Sequence, residues 1–218
     1  MNEPTRHDLA DLRREYRNRP LHRADLDPNP IRLFGRWFSE ALETEAMDPN
    51  AMTLATVSPQ GAPAARTVLL KYYGDDGFVF YTNLGSRKAA HIAENDRVAL
   101  LFYWHEVHRQ VKIGGTATKL SAVENLRYFA RRPRESQLGA WASRQSSILS
   151  SRALLENTFE EMKQKFAHGE VPLPSFWGGY RVVPEQIEFW QGRRNRLHDR
   201  FEYTKQDDGS WTIERLAP

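Results

Sequence analysis

The chain has 218 residues, enough for one domain with a proper core, and 40% of them are hydrophobic against 27% charged. A formal charge of +3 is too small to mark a nucleic-acid binder, and no apolar run approaches the ~20 residues of a membrane span. Zero cysteines exclude disulfides, thiolate metal sites and cysteine nucleophiles. The first residues, Met1-Asn2-Glu3-Pro4-Thr5-Arg6-His7-Asp8, are polar and carry no signal-peptide core, so a cytoplasmic protein is expected. Arginine outnumbers lysine 24 to 7. That skew suits bidentate recognition of phosphate, and a genome biased towards arginine codons would produce it equally.

No repeat, low-complexity tract or linker interrupts the sequence, so residues 1–218 are expected to form a single domain. Asp8 to Arg17 reads as a short helix. Asn29-Pro30 reads as an N-cap followed by proline at the first helical position, with Phe34, Trp37, Phe38, Ala41 and Leu42 at helical spacing as core. From Met52 the period becomes that of strands: Met52–Val57, Ala64–Tyr73 and Phe78–Thr82, separated by turn sequences at Ser58-Pro59-Gln60-Gly61 and Gly74-Asp75-Asp76-Gly77. Arg97–Trp104 and His108–Leu120 add two more. Ser121-Ala122-Val123-Glu124 is a capping-box pattern opening a helix that Pro133 stops at Arg132. A longer amphipathic helix carries Leu155, Phe159, Met162 and Phe166 on one stripe, expected as core. Trp177–Val183, Gln186–Trp190, Arg196–Tyr203 and Trp211–Arg215 return to strand character. Tight turns between successive strands imply antiparallel pairing and a barrel that removes exposed edges.

Three places carry chemistry. Gly85-Ser86-Arg87-Lys88 follows a strand and opens a helix with Ser86 as N-cap. Two cations in a first turn oppose the helix dipole, which makes sense if an anion sits there. Tyr128 and Arg132 stand four apart on one helix face with Ser136 just beyond Pro133, a second possible anion pocket or simply a basic surface helix. Thirteen residues from Glu188 to Arg200 crowd in four arginines, one histidine and a tryptophan. If Arg196 to Arg200 run as a strand, Arg196, His198 and Arg200 share a face about 6–7 Å apart, a row suited to an anionic aromatic ligand or to a solvated basic edge. The other histidines have no metal-ligand spacing, and no metal is expected.

Glu188-Phe189-Trp190-Gln191, four residues, then Arg196-Leu197-His198-Asp199-Arg200 resembles the C-terminal signature of pyridoxine/pyridoxamine 5′-phosphate oxidases. The likeness runs from Leu12-Arg13-Arg14-Glu15-Tyr16 through Arg66–Lys71, Tyr81–Lys88 and Pro172–Gly179 to Arg215-Leu216-Ala217-Pro218. It implies a mainly β fold with flanking helices, the antiparallel FMN-binding split barrel. It implies an FMN-dependent oxidase that makes pyridoxal 5′-phosphate from pyridoxine 5′-phosphate and pyridoxamine 5′-phosphate, with O2 reduced to H2O2 and ammonia released from the amine. By the same resemblance the cofactor residues are Arg66, Thr67, Val68, Leu69, Leu70, Lys71, Tyr81, Thr82, Ser86, Arg87, Lys88, Gln110, Gln145, Ser146, Trp190 and Arg200. Substrate residues are Lys71, Tyr128, Arg132 and Ser136 for the phosphate, Arg196, Leu197 and His198 at the ring, and Arg13, Arg14 and Tyr16 in an N-terminal lid spanning about residues 1–20. Residues 170–218 complete the barrel and the substrate site. Arg196 and His198 are the catalytic pair implied, His198 being the better proton carrier because arginine stays protonated. A homodimer with FMN between subunits is implied too.

Arg66 and Lys71 stand five apart and would point to opposite faces of a regular strand, so a bulge or a site wrapped round a strand end is needed. Arg193 and Arg194 add two charges in the loose spacer of the signature. A split-barrel FMN reductase would share Ser86-Arg87-Lys88 yet has no need of Tyr128, Arg132, Arg196 and His198 together. A non-enzymatic nucleic-acid-binding barrel would be colourless, with salt-sensitive affinity.

Overall fold

The computed structural model describes residues 19–44 and 46–218. Helix α1 (Pro30–Leu42) leads to the hairpin β1 (Ala51–Val57) and β2 (Pro63–Leu69), then to β3 (Tyr72–Gly74) and β4 (Gly77–Asn83). Helix α2 (Arg87–Glu94) and the hairpin β5 (Arg97–Trp104) and β6 (Arg109–Lys119) follow. Three helices, α3 (Ala122–Ala130), α4 (Arg134–Ala142) and α5 (Arg152–Lys165), precede β7 (Trp177–Gln191), β8 (Asp199–Lys205) and β9 (Trp211–Arg215). The expected helix at Asp8 to Arg17 lies outside the described residues, as do Arg13, Arg14 and Tyr16 of the expected lid.

All pairings in the sheet are antiparallel, in the order β2-β1-β5-β6-β7-β4-β3, with β8 on β7 and β9 on β8. Strand β7 is long enough to serve two neighbours on one side: Trp177 to Val182 pair with β4, and Gln186 to Gln191 with β8. The two ends of the path are one piece of chain. Leu70 N donates to Asn50 O at 2.9 Å, and the next amide, Lys71 N, donates to Val79 O at 2.8 Å. The chain thus leaves β1 for β4 within two residues, and the sheet curls round until its edges meet. The strand expected over Ala64–Tyr73 is therefore two strands with a break at Leu70-Lys71.

Two further boundaries differ from expectation. The strands expected at 177–183 and 186–190 are one, bulged where the β6 register shifts between Gly114 and Gly115. A side chain at Gly115 would bring its Cβ within 2.1 Å of Val183 O, so glycine is required there. The segment Arg194–Arg196 is a 3-10 turn, with Asn195 at φ 56° and Arg196 at φ 61°, and the strand begins only at Asp199.

Side chains alternating inward fill the barrel: Leu54, Phe78, Phe80, Leu100, Phe102, Val111, Ile113, Tyr180, Val182, Ile187, Phe189, Phe201 and Tyr203 are buried. Helix α1 plugs it. Asn29 Oδ1 accepts from Ile31 N at 2.8 Å and caps the helix, and Phe34 is fully buried edge-on to Phe78 and Phe102 with centroids 5.0 Å away. Trp37 and Ala41 are buried as expected, whereas Leu42 is 56% exposed because the helix ends there. A smaller core of Phe129, Leu138, Val171 and Trp177 holds α3, α4 and α5 against the outside of the sheet. The stripe on α5 is only half-buried against it, and no residue of that helix is fully buried, which corrects the expectation of a core helix.

Candidate active site

The break between β2 and β3 puts Arg66 and Lys71 on the same cleft, which removes the difficulty of their odd spacing. The cleft, of about 890 Å³, is also lined by Tyr81, Thr82 and Asn83 of β4, Lys88 of α2, Tyr128 of α3, Arg131, Arg132 and Pro133 of the following turn, and Ser136, Gly139, Ala140 and Ser143 along α4. Among the described residues, five cations line it (Arg66, Lys71, Lys88, Arg131 and Arg132) and no carboxylate does. Such a wall is costly unless an anion neutralises it.

Lys88 is 9% exposed, and its ammonium donates to Gln145 Oε1 at 2.7 Å, Thr82 Oγ1 at 3.1 Å and Ser86 Oγ at 3.3 Å. Burial, and then the nearby Arg66 charge, lower its pKa. Ser86 is the N-cap by position, but its hydroxyl serves Lys88 instead of the helix end. The first-turn amide of Arg87 donates to Ser146 Oγ at 3.3 Å, with Ser146 at φ 74°. Arg66 donates to Leu54 O and Thr56 Oγ1 at 2.9 and 2.8 Å, and burial lowers its pKa as well.

Gly179 fixes the aromatic wall. A Cβ there would lie 2.8 Å from the Tyr81 ring, and Gly179 N donates to Asn125 Oδ1 at 2.9 Å, tying α3 to β7. Tyr81 stacks on Tyr128 with centroids 3.9 Å apart and on Trp177 at 5.2 Å. Burial first, then Tyr72 and Tyr128, push the Tyr81 hydroxyl up to about 12. Helix α3 ends at Ala130, so Arg132 lies beyond it, in the turn into α4, a helix that the sequence reading passed over. Its guanidinium sits 4.7 Å over Trp177, and its Nη1 is buried with no hydrogen-bond partner among the described residues. An unpaired buried N–H on a cation points to an anionic acceptor.

Gln110, Trp190 and Arg200 line a second cleft of about 330 Å³, with Leu101, Lys112, Glu188 and Pro218. Register explains the grouping. Gln110 pairs with Trp190 and Trp190 with Arg200, so the three form one row across β6, β7 and β8 on the outer face. Two residues along the strands, Lys112 and Glu188 form the next row. The turn before β8 carries the rest of the signature. Arg196 and the 68% exposed Leu197 stand on the turn, so the expected face of Arg196, His198 and Arg200 on one strand is not formed. His198 contacts Trp190 with ring centroids 4.5 Å apart, and its Nδ1 accepts from Arg193 N at 3.1 Å. A backbone N–H only donates, so the neutral ring carries its proton on Nε2. Burial, and then Arg196, lower the His198 pKa.

The structure thus gathers Arg66, Thr67, Val68, Leu69, Lys71, Tyr81, Thr82, Lys88, Tyr128, Arg132, Ser136 and Gln145 on one cleft, and Gln110, Trp190 and Arg200 on another. Leu70 is buried in the core, and Ser86, Arg87 and Ser146 adjoin the first cleft through Lys88 and the α2 terminus without lining it. Asn83, Arg131, Trp177, Lys112 and Glu188 escaped the sequence reading. Glu188 and Trp177 stood inside quoted blocks, while cross-strand register, which reveals Lys112, needs the fold.

Residues 38–166 match the family described as pyridoxamine 5′-phosphate oxidase, and residues 177–218 a pyridoxine 5′-phosphate oxidase C-terminal dimerisation region. A pyridoxine/pyridoxamine 5′-phosphate oxidase of Crocosphaera subtropica is 62% identical over 213 residues, covering 97% of this chain and 100% of the relative. One from Vibrio cholerae serotype O1 is 58% identical over 211 residues, covering 97% and 100%. Among solved structures, PhzG from Burkholderia lata 383, in complex with tetrahydrophenazine-1-carboxylic acid, aligns with a TM-score of 0.85 at 29% identity, covering 92% of this chain and 99% of that one. A pyridoxamine 5′-phosphate oxidase-related, FMN-binding protein from Nostoc punctiforme shares the fold, with a TM-score of 0.71 at 17% identity over 88% and 100% of the two chains.

Proposed function

This chain belongs to the pyridoxine/pyridoxamine 5′-phosphate oxidase family, and on that premise we propose that it oxidises both phosphorylated vitamers to pyridoxal 5′-phosphate with FMN as cofactor. The observation that carries this reading is the first cleft, which among the described residues has five cations, no carboxylate, and a buried Arg132 Nη1 with no acceptor. A cofactor phosphate and a substrate phosphate supply the missing anions. Arg66, Lys88 and the Ser86-Arg87 end of α2 would hold the first. Lys71, Tyr128, Arg132 and Ser136 would anchor the second. FMN, when bound, supplies the acceptor for the hydride leaving the substrate C4′ carbon and passes the electrons to O2, giving H2O2.

The rest falls to side chains. Anchoring the phosphate fixes the distance of C4′ from the reacting face. Arg196 would offset charge on the ring oxygens. His198, with Nδ1 engaged by Arg193 N, would handle the proton near the substrate ring, and the neutral ring can take one up only by giving up that backbone bond. The two clefts would form one site when a second copy brings the Gln110, Trp190 and Arg200 row against the first cleft. The match of residues 177–218 to a dimerisation region supports that arrangement, since those residues include β7 and β8. With pyridoxamine 5′-phosphate the imine formed at C4′ is hydrolysed to aldehyde and ammonia.

Arg132→Ala tests the anchor. Loss of a charge-assisted contact made in both ground and transition states raises KM about 10- to 100-fold with kcat little changed. An unchanged KM for pyridoxine 5′-phosphate contradicts the assignment.

A further inference from the structure

Glu188 is 6% exposed at the floor of the second cleft, and its two oxygens serve different cations. Oε1 accepts from Arg200 Nε at 2.7 Å and Oε2 from Lys112 Nζ at 2.6 Å. Arg200 is gripped further by the end of the chain: Nη1 donates to Ala217 O at 2.7 Å, and Leu216 N donates back to Arg200 O at 3.0 Å. A solvated arginine keeps several rotamers, whereas this one has its Nε and one Nη1 bond committed on the sheet side. Arg200 itself lines the cleft, in the row with Trp190 and Gln110. The trio of Lys112, Glu188 and Arg200 carries two positive charges and one negative.

We propose that Glu188 is a positioning residue for the cofactor: it aims Arg200 at the flavin and sets the charge of the wall that the flavin meets. The inference rests on the FMN reading given above. A carboxylate that merely filled the sheet face would act on stability alone. One that positions Arg200 acts on cofactor affinity through Arg200, and removing its charge leaves two cations uncompensated, which favours the electron-rich reduced flavin over the oxidised one.

The test is fluorescence titration of the apo-protein with FMN, for wild type, Glu188→Gln, Arg200→Gln and the double variant, with the midpoint potential of each reconstituted protein. Glu188→Gln should weaken FMN about tenfold, the scale of one charge-assisted bond, and move the potential positive. The double variant should bind no worse than Arg200→Gln alone, because both changes break one device. Independent, multiplying losses, or a Glu188→Gln protein with wild-type affinity and potential, would overturn the proposal while leaving the cofactor assignment standing. A wild-type protein that does not take up FMN would instead remove the reading beneath it. If Glu188→Gln does not fold by circular dichroism and gel filtration, Glu188→Asp replaces it: the shorter side chain withdraws from Arg200, and the same non-additivity is expected.

Discussion

Burial is the first cause that lowers the pKa of both Arg132 and His198, though Arg132 stays a cation. For Arg132 the consequence is affinity, since a half-buried guanidinium over Trp177 with one unmade bond gains most when an anion arrives. For His198 the consequence is pH dependence. Its folded pKa lies below the ordinary 6.5, so between the two values the unfolded chain binds more protons than the folded one. The His198 contribution to stability is therefore complete above about pH 6.5 and is lost as pH falls towards the folded value. Ring resonances followed by NMR should give His198 a pKa below 6.5, and Arg196→Gln should raise it by removing the second cause of the shift. A His198 that titrates at its ordinary value in wild type contradicts the buried setting beside Arg196.

At the scale of elements, the parts of the fold bounded by local chemistry were legible and those set by distant partners were not. Asn29-Pro30 announced α1, and β5 and β9 run over the expected residues because turn sequences flank them. The break at Leu70-Lys71 is written in hydrogen bonds to Asn50 and Val79, which no local pattern contains. Helix α4 carries small residues towards the cleft and lacks a long apolar stripe, so it left no periodic signal. The turn at 194–196 alternates like a strand, and the one contrary hint was Asn195, a residue that tolerates positive φ. Two substitutions measure these elements by denaturant unfolding. Asn29→Ala should cost about 1 kcal/mol through loss of the α1 cap. Gly179→Ala should cost roughly 1–3 kcal/mol, because the new methyl meets Tyr81, Leu120 and Phe80 O within 2.9 Å. Wild-type stability in Gly179→Ala would mean that Tyr81 is not held by that contact.

Across the whole molecule, most of the described residues marked by the family resemblance fall on two clefts, one beside the helices and one on the outer face of β6, β7 and β8, while Arg196, Leu197 and His198 line neither. The division between the clefts was not legible in the sequence, because each is assembled from strands far apart in the chain. A site completed by a second copy predicts complementation. Assayed at substrate well below the wild-type KM and at FMN that leaves Arg200→Gln sites empty, where each parent is nearly silent, a mixture of Arg132→Ala and Arg200→Gln subunits made through reversible unfolding should show about a quarter of wild-type activity, since half the dimers are mixed and each then holds one whole site of two. Absence of any restoration places both clefts of each working site within one chain. Among the described residues no helix is long and apolar enough to cross a membrane.

The most direct test of the central claim is the visible spectrum of the purified protein under anaerobic conditions, before and after addition of pyridoxine 5′-phosphate. The account predicts an oxidised flavin band that bleaches on addition and returns with air as pyridoxal 5′-phosphate accumulates. A flavin band that persists in the presence of bound substrate, or a protein that stays colourless after FMN is supplied, contradicts it.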